Sequence, residues 1–234
     1  LIWVRLILAA LLSWIAYVRT DGFIPSRIEG ELLKGEDPPY TEEIAQILSQ
    51  PFQYLGRGRQ AFIFVSGEYV IKFFNQSYLR PVFWQKEKRA RRRLFYETSY
   101  EIAYRHLGEG ILFLHMHPTN APLPLLQIED KAHGIYSIDL KKVPFVLQRR
   151  GIPLVDGLNE IYRQGGKEAV QNEKEKFLQI QRQRKERGIA DADGDIEHNW
   201  GYLDGKLFQM DPGRLYYDKN PKDIEESIPV FDRF

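Results

Sequence analysis

The chain of 234 residues has no cysteine, so disulfides, thiol nucleophiles and zinc–thiolate centres are excluded from its chemistry. That absence does not by itself fix the compartment. Charge of one sign is missing as well: 33 Lys and Arg stand against 32 Asp and Glu, a formal net charge of +1. A chain so balanced carries no whole-molecule footprint for nucleic acid, and no nucleic-acid partner is expected. Internal repeats and low-complexity tracts are also lacking. What is abundant is apolar: 43% of residues are hydrophobic and 13% aromatic, against 28% charged. This composition excludes a disordered chain, and the length allows one large domain or two small lobes.

Long apolar runs are scarce, and the chain opens on one. Residues 1–18 contain a single charge, Arg5, and residues 6–18 contain none. Eighteen residues lie near the lower limit for a bilayer-spanning helix. Arg5 is placed to snorkel toward headgroups, and Trp3, Trp14 and Tyr17 suit the interface. A cleavable signal peptide is the rival, but no small-x-small site follows the run, since Trp14 stands two before Ala16. A buried soluble helix is the third alternative. The preferred reading is a membrane-anchor helix over 1–18 that contacts lipid. Arg5 and Arg19 flank it about equally, so they give no orientation.

Residues 19–50 read as a linker and a short helix. Gly22, Pro25, Gly30, Gly35, Pro38 and Pro39 break any periodicity, after which Ile44, Ile47 and Leu48 share one helical face. Residues 52–74 predict an antiparallel three-strand meander with a glycine-rich first turn. A long helix follows over 85–107, six of the eight residues at 86–93 being basic. Further strands are predicted at 111–114, 123–128, 135–140 and 145–148, then a short helix to Arg163. Gly165-Gly166 breaks that helix, and a second one runs over 167–187.

Four features carry chemistry, in a meaningful order. Gly56-x-Gly58-x-x-Ala61 lies between two strands, where glycines let backbone N–H groups approach a phosphate. A Rossmann turn would need a helix directly afterwards, and a strand follows instead. Lys72 sits in the apolar strand Val70-Ile71-Lys72-Phe73-Phe74 and must find an anion if buried. Glu97, or Glu101, is the candidate countercharge. Third, residues 191–199 place Asp191, Asp193, Asp195, Glu197 and Asn199 in one loop, a density of oxygen donors that suits Mg²⁺ or a proton acceptor. An EF-hand fails here, because its required Gly and Glu positions hold Ile196 and Tyr202. An Asp-x-Asp site at Asp191 and Asp193, as in glycosyltransferases, and a merely solvated acidic loop remain open. Fourth, Asp204-Gly205 predicts a hairpin that returns Asp211 to the side of Asn199.

This combination resembles the protein-kinase-like superfamily over residues 52–215. Gly56, Gly58 and Ala61 look like its glycine-rich loop, Lys72 like its strand lysine, and Glu97 like the helix partner of that lysine. Val146-Leu147-Gln148 resembles the hinge that lines adenine, with Val146 and Gln148 as contacts. Asn199 resembles the metal-binding Asn, and Asp211-Pro212-Gly213 stands where the family has Asp-Phe-Gly. The resemblance implies an α+β, two-lobed kinase-like fold preceded by a hydrophobic helix. It would have an antiparallel-sheet N-lobe over 51–149 and a reduced helical C-lobe over 150–234. It further implies ATP and Mg²⁺ as cofactors, Asn199 and Asp211 as metal ligands, and a phosphotransferase acting on a hydroxyl of an unidentified protein, lipid or small molecule. The kinase-like part would lie on the cytoplasmic side of the membrane.

Two departures qualify what is implied. In the family the catalytic Asp stands five before the Asn, and here that position is Gly194. Asp193 is the expected base and Asp191 the second candidate. Only 21 residues follow Gly213, with no Ala-Pro-Glu segment, so peptide-substrate recognition of the usual kind is not expected. A nucleotide-binding pseudokinase or membrane-tethered scaffold is the alternative without catalysis. Outside the pattern, His115-x-His117 reads as packing rather than a metal site, and the basic start of the long helix as a solvated face or a lipid contact.

Overall fold

A computed structural model describes residues 2–30, 39–79, 86–107, 110–221 and 228–234. The chain is α+β and divides into two compact units, one of residues 1–89 and 112–148, the other of residues 90–111 and 149–234.

The first unit opens with α1 (Ile2–Arg19), of which no residue is buried. Then come α2 (Glu42–Leu48), the meander β1 (Phe52–Arg57), β2 (Ala61–Ser66) and β3 (Tyr69–Phe74), and a single turn α3 (Gln76–Leu79). β4 (Ile111–His115), β5 (Leu125–Glu129), β6 (Ile135–Asp139) and β7 (Phe145–Arg149) complete a seven-stranded sheet in the order β4-β7-β3-β2-β1-β5-β6. The meander matches the expectation, with Phe62 opposite Phe73 and Ile63 opposite Lys72. The sheet as a whole is mixed, not antiparallel as expected, because β1 pairs with β5 in parallel, Phe52 opposite Ile128. No hairpin joins these two strands; the long excursion between them is the kind of crossover that parallel pairing requires.

One face of this sheet carries the core. Phe62, Phe64, Ile71, Phe73, Phe145 and Leu147 lie there fully buried. The edge-to-face contacts of Phe64 with Phe73 and Tyr54 are the arrangement that ring quadrupoles favour. Phe23 and Ile28 are completely buried in the same core, Phe23 with its ring against Phe62, Phe64 and Tyr136. The short helix is present as expected, capped by the Thr41 hydroxyl on Ile44 N, with Ile44, Ile47 and Leu48 inside.

The second unit holds α4 (Lys86–His106) from residue 90 onward, β8 (Ile152–Pro153) and α5 (Leu154–Glu186). β9 (Ile189–Asp191), α6 (Ile196–Asn199), the hairpin β10 (Trp200–Leu203) and β11 (Lys206–Gln209), β12 (Leu215–Tyr217) and α7 (Pro229–Asp232) follow. Gly166 interrupts α5 with φ 65° and ψ −159°, so the break expected at the glycine pair is present. A core of Leu154, Leu158, Phe177, Trp200, Tyr202 and Phe231 joins α5 to the hairpin and α7. Residues 90–111 belong with the second unit. Ile102 and Ala103 bury against Ile189 and Leu215, and the Ser99 hydroxyl donates to Leu215 O.

Candidate functional site

Strand alternation sorts the first unit's candidate residues onto one side. In β2, β3 and β7 the residues between the core positions point away from the aromatic core. Those residues are Ala61 and Ile63, Val70, Lys72 and Phe74, and Val146 and Gln148, while Phe62, Phe73, Phe145 and Leu147 point into it. Lys72 is 5% exposed, Val146 0% and Gln148 4%. The strand lysine, the two hinge candidates and the last residue of the glycine motif therefore share a sheet face that the aromatic core does not use.

The glycine turn itself has an unusual economy. The register of β1 against β2 shifts between Tyr54 and Gly56, which leaves Leu55 out on the surface. Gly58 N donates to Ala61 O, and Asn75 N to Gln60 O, so the turn is closed by backbone bonds. A Cβ built on Gly56 would meet nothing within 4 Å, and one on Gly58 only Gln60 N at 4.0 Å. Neither residue adopts a positive φ. The fold of the chain does not require glycine at either place.

In the second unit the Asp204-Gly205 turn forms as expected, with φ of 51° and 74° at its two central residues. It aligns Trp200 with Gln209, and the chain then closes on itself. Asn199 O accepts from Met210 N at 2.8 Å and from Asp211 N at 3.1 Å. Asn199 and Asp211 are thus clamped side by side through their backbones. Asp211 Oδ1 also accepts from Tyr100 Oη at 3.0 Å, and Tyr100 is fully buried on α4. Burial, then the Asp211 charge, pushes the Tyr100 hydroxyl far above its ordinary range, so it stays a donor. Glu97 stands one turn before Tyr100 on the same helix, half-buried. Glu101 instead pairs at the surface with Arg105 at 3.9 Å.

The acidic loop separates into unlike carboxylates. Asp191 is tied at both oxygens, Oδ1 accepting from Asp193 N at 2.9 Å and Oδ2 from Gln209 Nε2 at 2.8 Å. Its pKa is raised, chiefly by burial. Asp193 is held more loosely: Oδ1 accepts from Asp195 N at 3.2 Å, and Arg214 Nε lies 3.6 Å from Oδ2. Asp195 caps α6 and bonds the His198 ring at 2.8 Å.

A Mg²⁺ ion prefers hard oxygen ligands and keeps several waters or phosphate oxygens rather than a full protein cage. The clamped Asn199 and Asp211 fit that donor set. Among the described residues no three His, Asp or Glu side chains converge on a metal site, so phosphate or water would have to complete the shell. His115 packs its buried ring against the Phe113 and Phe145 rings. Tyr100, Gln209 and Arg214, which bind the loop and Asp211, escaped the sequence reading. Only Tyr100 left a signal, its spacing of three from Glu97.

Comparison with protein-family models, curated proteins and solved structures finds no match.

Proposed function

We propose that the chain is a membrane-tethered, kinase-like phosphotransferase that uses ATP and Mg²⁺ to phosphorylate a hydroxyl. The observation that carries the reading is the closure at Asn199: its main-chain oxygen accepts from Met210 N and Asp211 N, which brings the backbones of Asn199 and Asp211, twelve residues apart, side by side. A tyrosine on the preceding long helix holds the carboxylate. The sheet face shared by Lys72, Val146 and Gln148, beside a glycine turn that the fold does not itself require, supports it.

In this reading the backbone of 56–61 cradles the phosphates and the Lys72 ammonium offsets their charge. Val146 and Gln148 line the base. Asn199 and Asp211 hold Mg²⁺, which when bound neutralises charge that develops on the transferred phosphoryl group. Tyr100, staying protonated, donates to Asp211 Oδ1 and fixes its rotamer. Asp193, the less restrained carboxylate of the loop, accepts the proton of the acceptor hydroxyl, while Asp191 shapes the loop through its two bonds.

The glycine at position 194, five before Asn199, favours a second reading: a pseudokinase that binds nucleotide without transferring phosphate. Thermal stabilisation by Mg²⁺ and ATP, lost in Lys72→Ala and in Asp211→Ala, tests the shared premise. If both variants keep the full shift, neither reading stands. Phosphate transfer abolished by Asp193→Asn separates enzyme from pseudokinase.

A further inference from the structure

The hairpin and the last turns of α5 line an open cleft of about 560 Å³ within the second unit. Positions 176, 180, 184 and 187 recur at helical spacing and form one stripe of α5 along its wall. Lys176, Arg184, Arg187 and Lys206 line the cleft and no Asp or Glu does. Lys176 is spoken for by an ion pair with Glu173. The notable member is Arg184, 4% exposed, whose Nε and Nη1 find no hydrogen-bond acceptor among the described residues. Its guanidinium lies 4.5 Å from the Trp200 ring centre, and Phe177 packs edge-on to that ring.

A buried guanidinium with unmatched donors is costly, and a protein keeps one where an anion repays it. Burial lowers the pKa of Arg184 to about 10, with Asp191 opposing the shift through space, so the group is cationic at neutral pH. A second buried polar atom faces the same need. Gln209 Nε2 donates to Asp191 Oδ2, which fixes the amide orientation, and its Oε1 is left buried without a donor. A ligand for this cleft therefore brings an anionic head for Arg184 and a hydroxyl for Gln209. A phosphate ester carries close to two negative charges at neutral pH and matches an arginine fork, and the volume lies in the range of small-molecule sites.

We propose that this cleft binds a small organic phosphate bearing hydroxyl groups, its phosphoryl group held by Arg184, Arg187 and Lys206 and a hydroxyl by Gln209. The proposal does not depend on the phosphotransferase reading.

Calorimetric titration of the full chain in detergent micelles with glucose 6-phosphate and with inorganic phosphate tests it. Both bind, the ester more tightly because only it supplies hydroxyls to Gln209. Arg184→Gln abolishes binding. The double variant Arg187→Glu, Lys206→Glu changes two exposed side chains and weakens it at least about tenfold. Lys72→Ala binds like the parent chain, which separates this site from any nucleotide site. The proposal is overturned if neither probe binds up to about 10 mM. It is equally overturned if the double variant, folded by circular dichroism, binds glucose 6-phosphate as the parent does.

Discussion

Gly56 and Gly58 have room for a side chain and no positive φ, so replacing them leaves the folded chain unstrained. Alanine at either position narrows the unfolded ensemble, which adds about 0.4–1 kcal/mol of stability. The same methyl group would stand where a phosphate must approach the backbone. Gly58→Ala is therefore expected to raise the melting temperature of the free protein and to shrink the shift produced by Mg²⁺ and ATP. Opposite signs in one thermal-shift experiment are hard to obtain from a purely structural glycine. Tyr100→Phe removes the donor to Asp211 at constant packing, and a lost hydrogen bond to a charged partner costs about 1.5–3 kcal/mol in urea unfolding. At the loop, the Asp195 hydrogen bond and charge raise the pKa of His198, and Asp195 is itself held low by His198. The His198 contribution is complete below pH 6.5 and is lost as pH rises through its raised value. That of Asp195 is present above 3.8 and is lost as pH falls through its lowered value. The pair is thus at its best between those two limits. NMR titration should find His198 above 6.5 in the parent chain and back near that value in Asp195→Asn.

At the scale of elements, the hairpin that clamps Asn199 to Asp211 is the part most open to a steric test. A Cβ on Gly201 would fall 2.3 Å from Ile152 O and 2.8 Å from Met210 Sδ, against the neighbouring strand β8. Backbone on one side cannot yield as a side chain would, so Gly201→Ala should cost about 1–3 kcal/mol and disturb the register that places Met210 and Asp211 on Asn199. Loss of nucleotide binding together with stability, seen by thermal shift, is the expected result. The turn of this hairpin was legible, because Asp-Gly dictates its own backbone. The close approach was not, since the obstructing carbonyl lies 49 residues away, at Ile152. The same distinction explains the other gaps. Lys72 stood out from its apolar flanks, and Gly166 from the helix it interrupts. Phe23 and Ile28 are isolated apolar residues among prolines and glycines, and nothing local says that a sheet will cover them. β8, β9 and β12 are two or three residues long, too short for a period, and exist through partners far along the chain. Arg184 reads as one more cation in a polar helix until Trp200 and Phe177 bury it.

At the scale of the whole molecule, the feature to be explained is α1, eighteen residues long, long and apolar enough to cross a membrane, and with none of them buried. At 1.5 Å per residue it is roughly 27 Å long, close to the hydrocarbon thickness of a bilayer. None of the described residues buries any part of it. Its C-terminal end, by contrast, is fastened to the first unit. Arg57 Nη1 donates to Tyr17 Oη at 2.9 Å, Arg27 and Arg57 lie over the Tyr17 ring, and Lys131 pairs with Asp21 at 2.9 Å. Lys131 is the main cause of the lowered Asp21 pKa, so that contact holds above 3.8 and fails as pH falls through the depressed value. Arg19, Arg27, Arg57 and Lys131 gather at this end, Lys131 against the Asp21 carboxylate. The full chain should float with phosphatidylcholine vesicles in a density gradient and remain bound in molar salt, because the apolar helix carries the attachment. Deleting residues 2–18 should leave the protein at the bottom of the gradient. Mass spectrometry of the membrane fraction decides between anchor and leader: residues 2–18 are retained in an anchor and gone from a cleaved signal peptide. If the deletion variant floats as well as the parent in molar salt, α1 is not what holds this chain to a membrane.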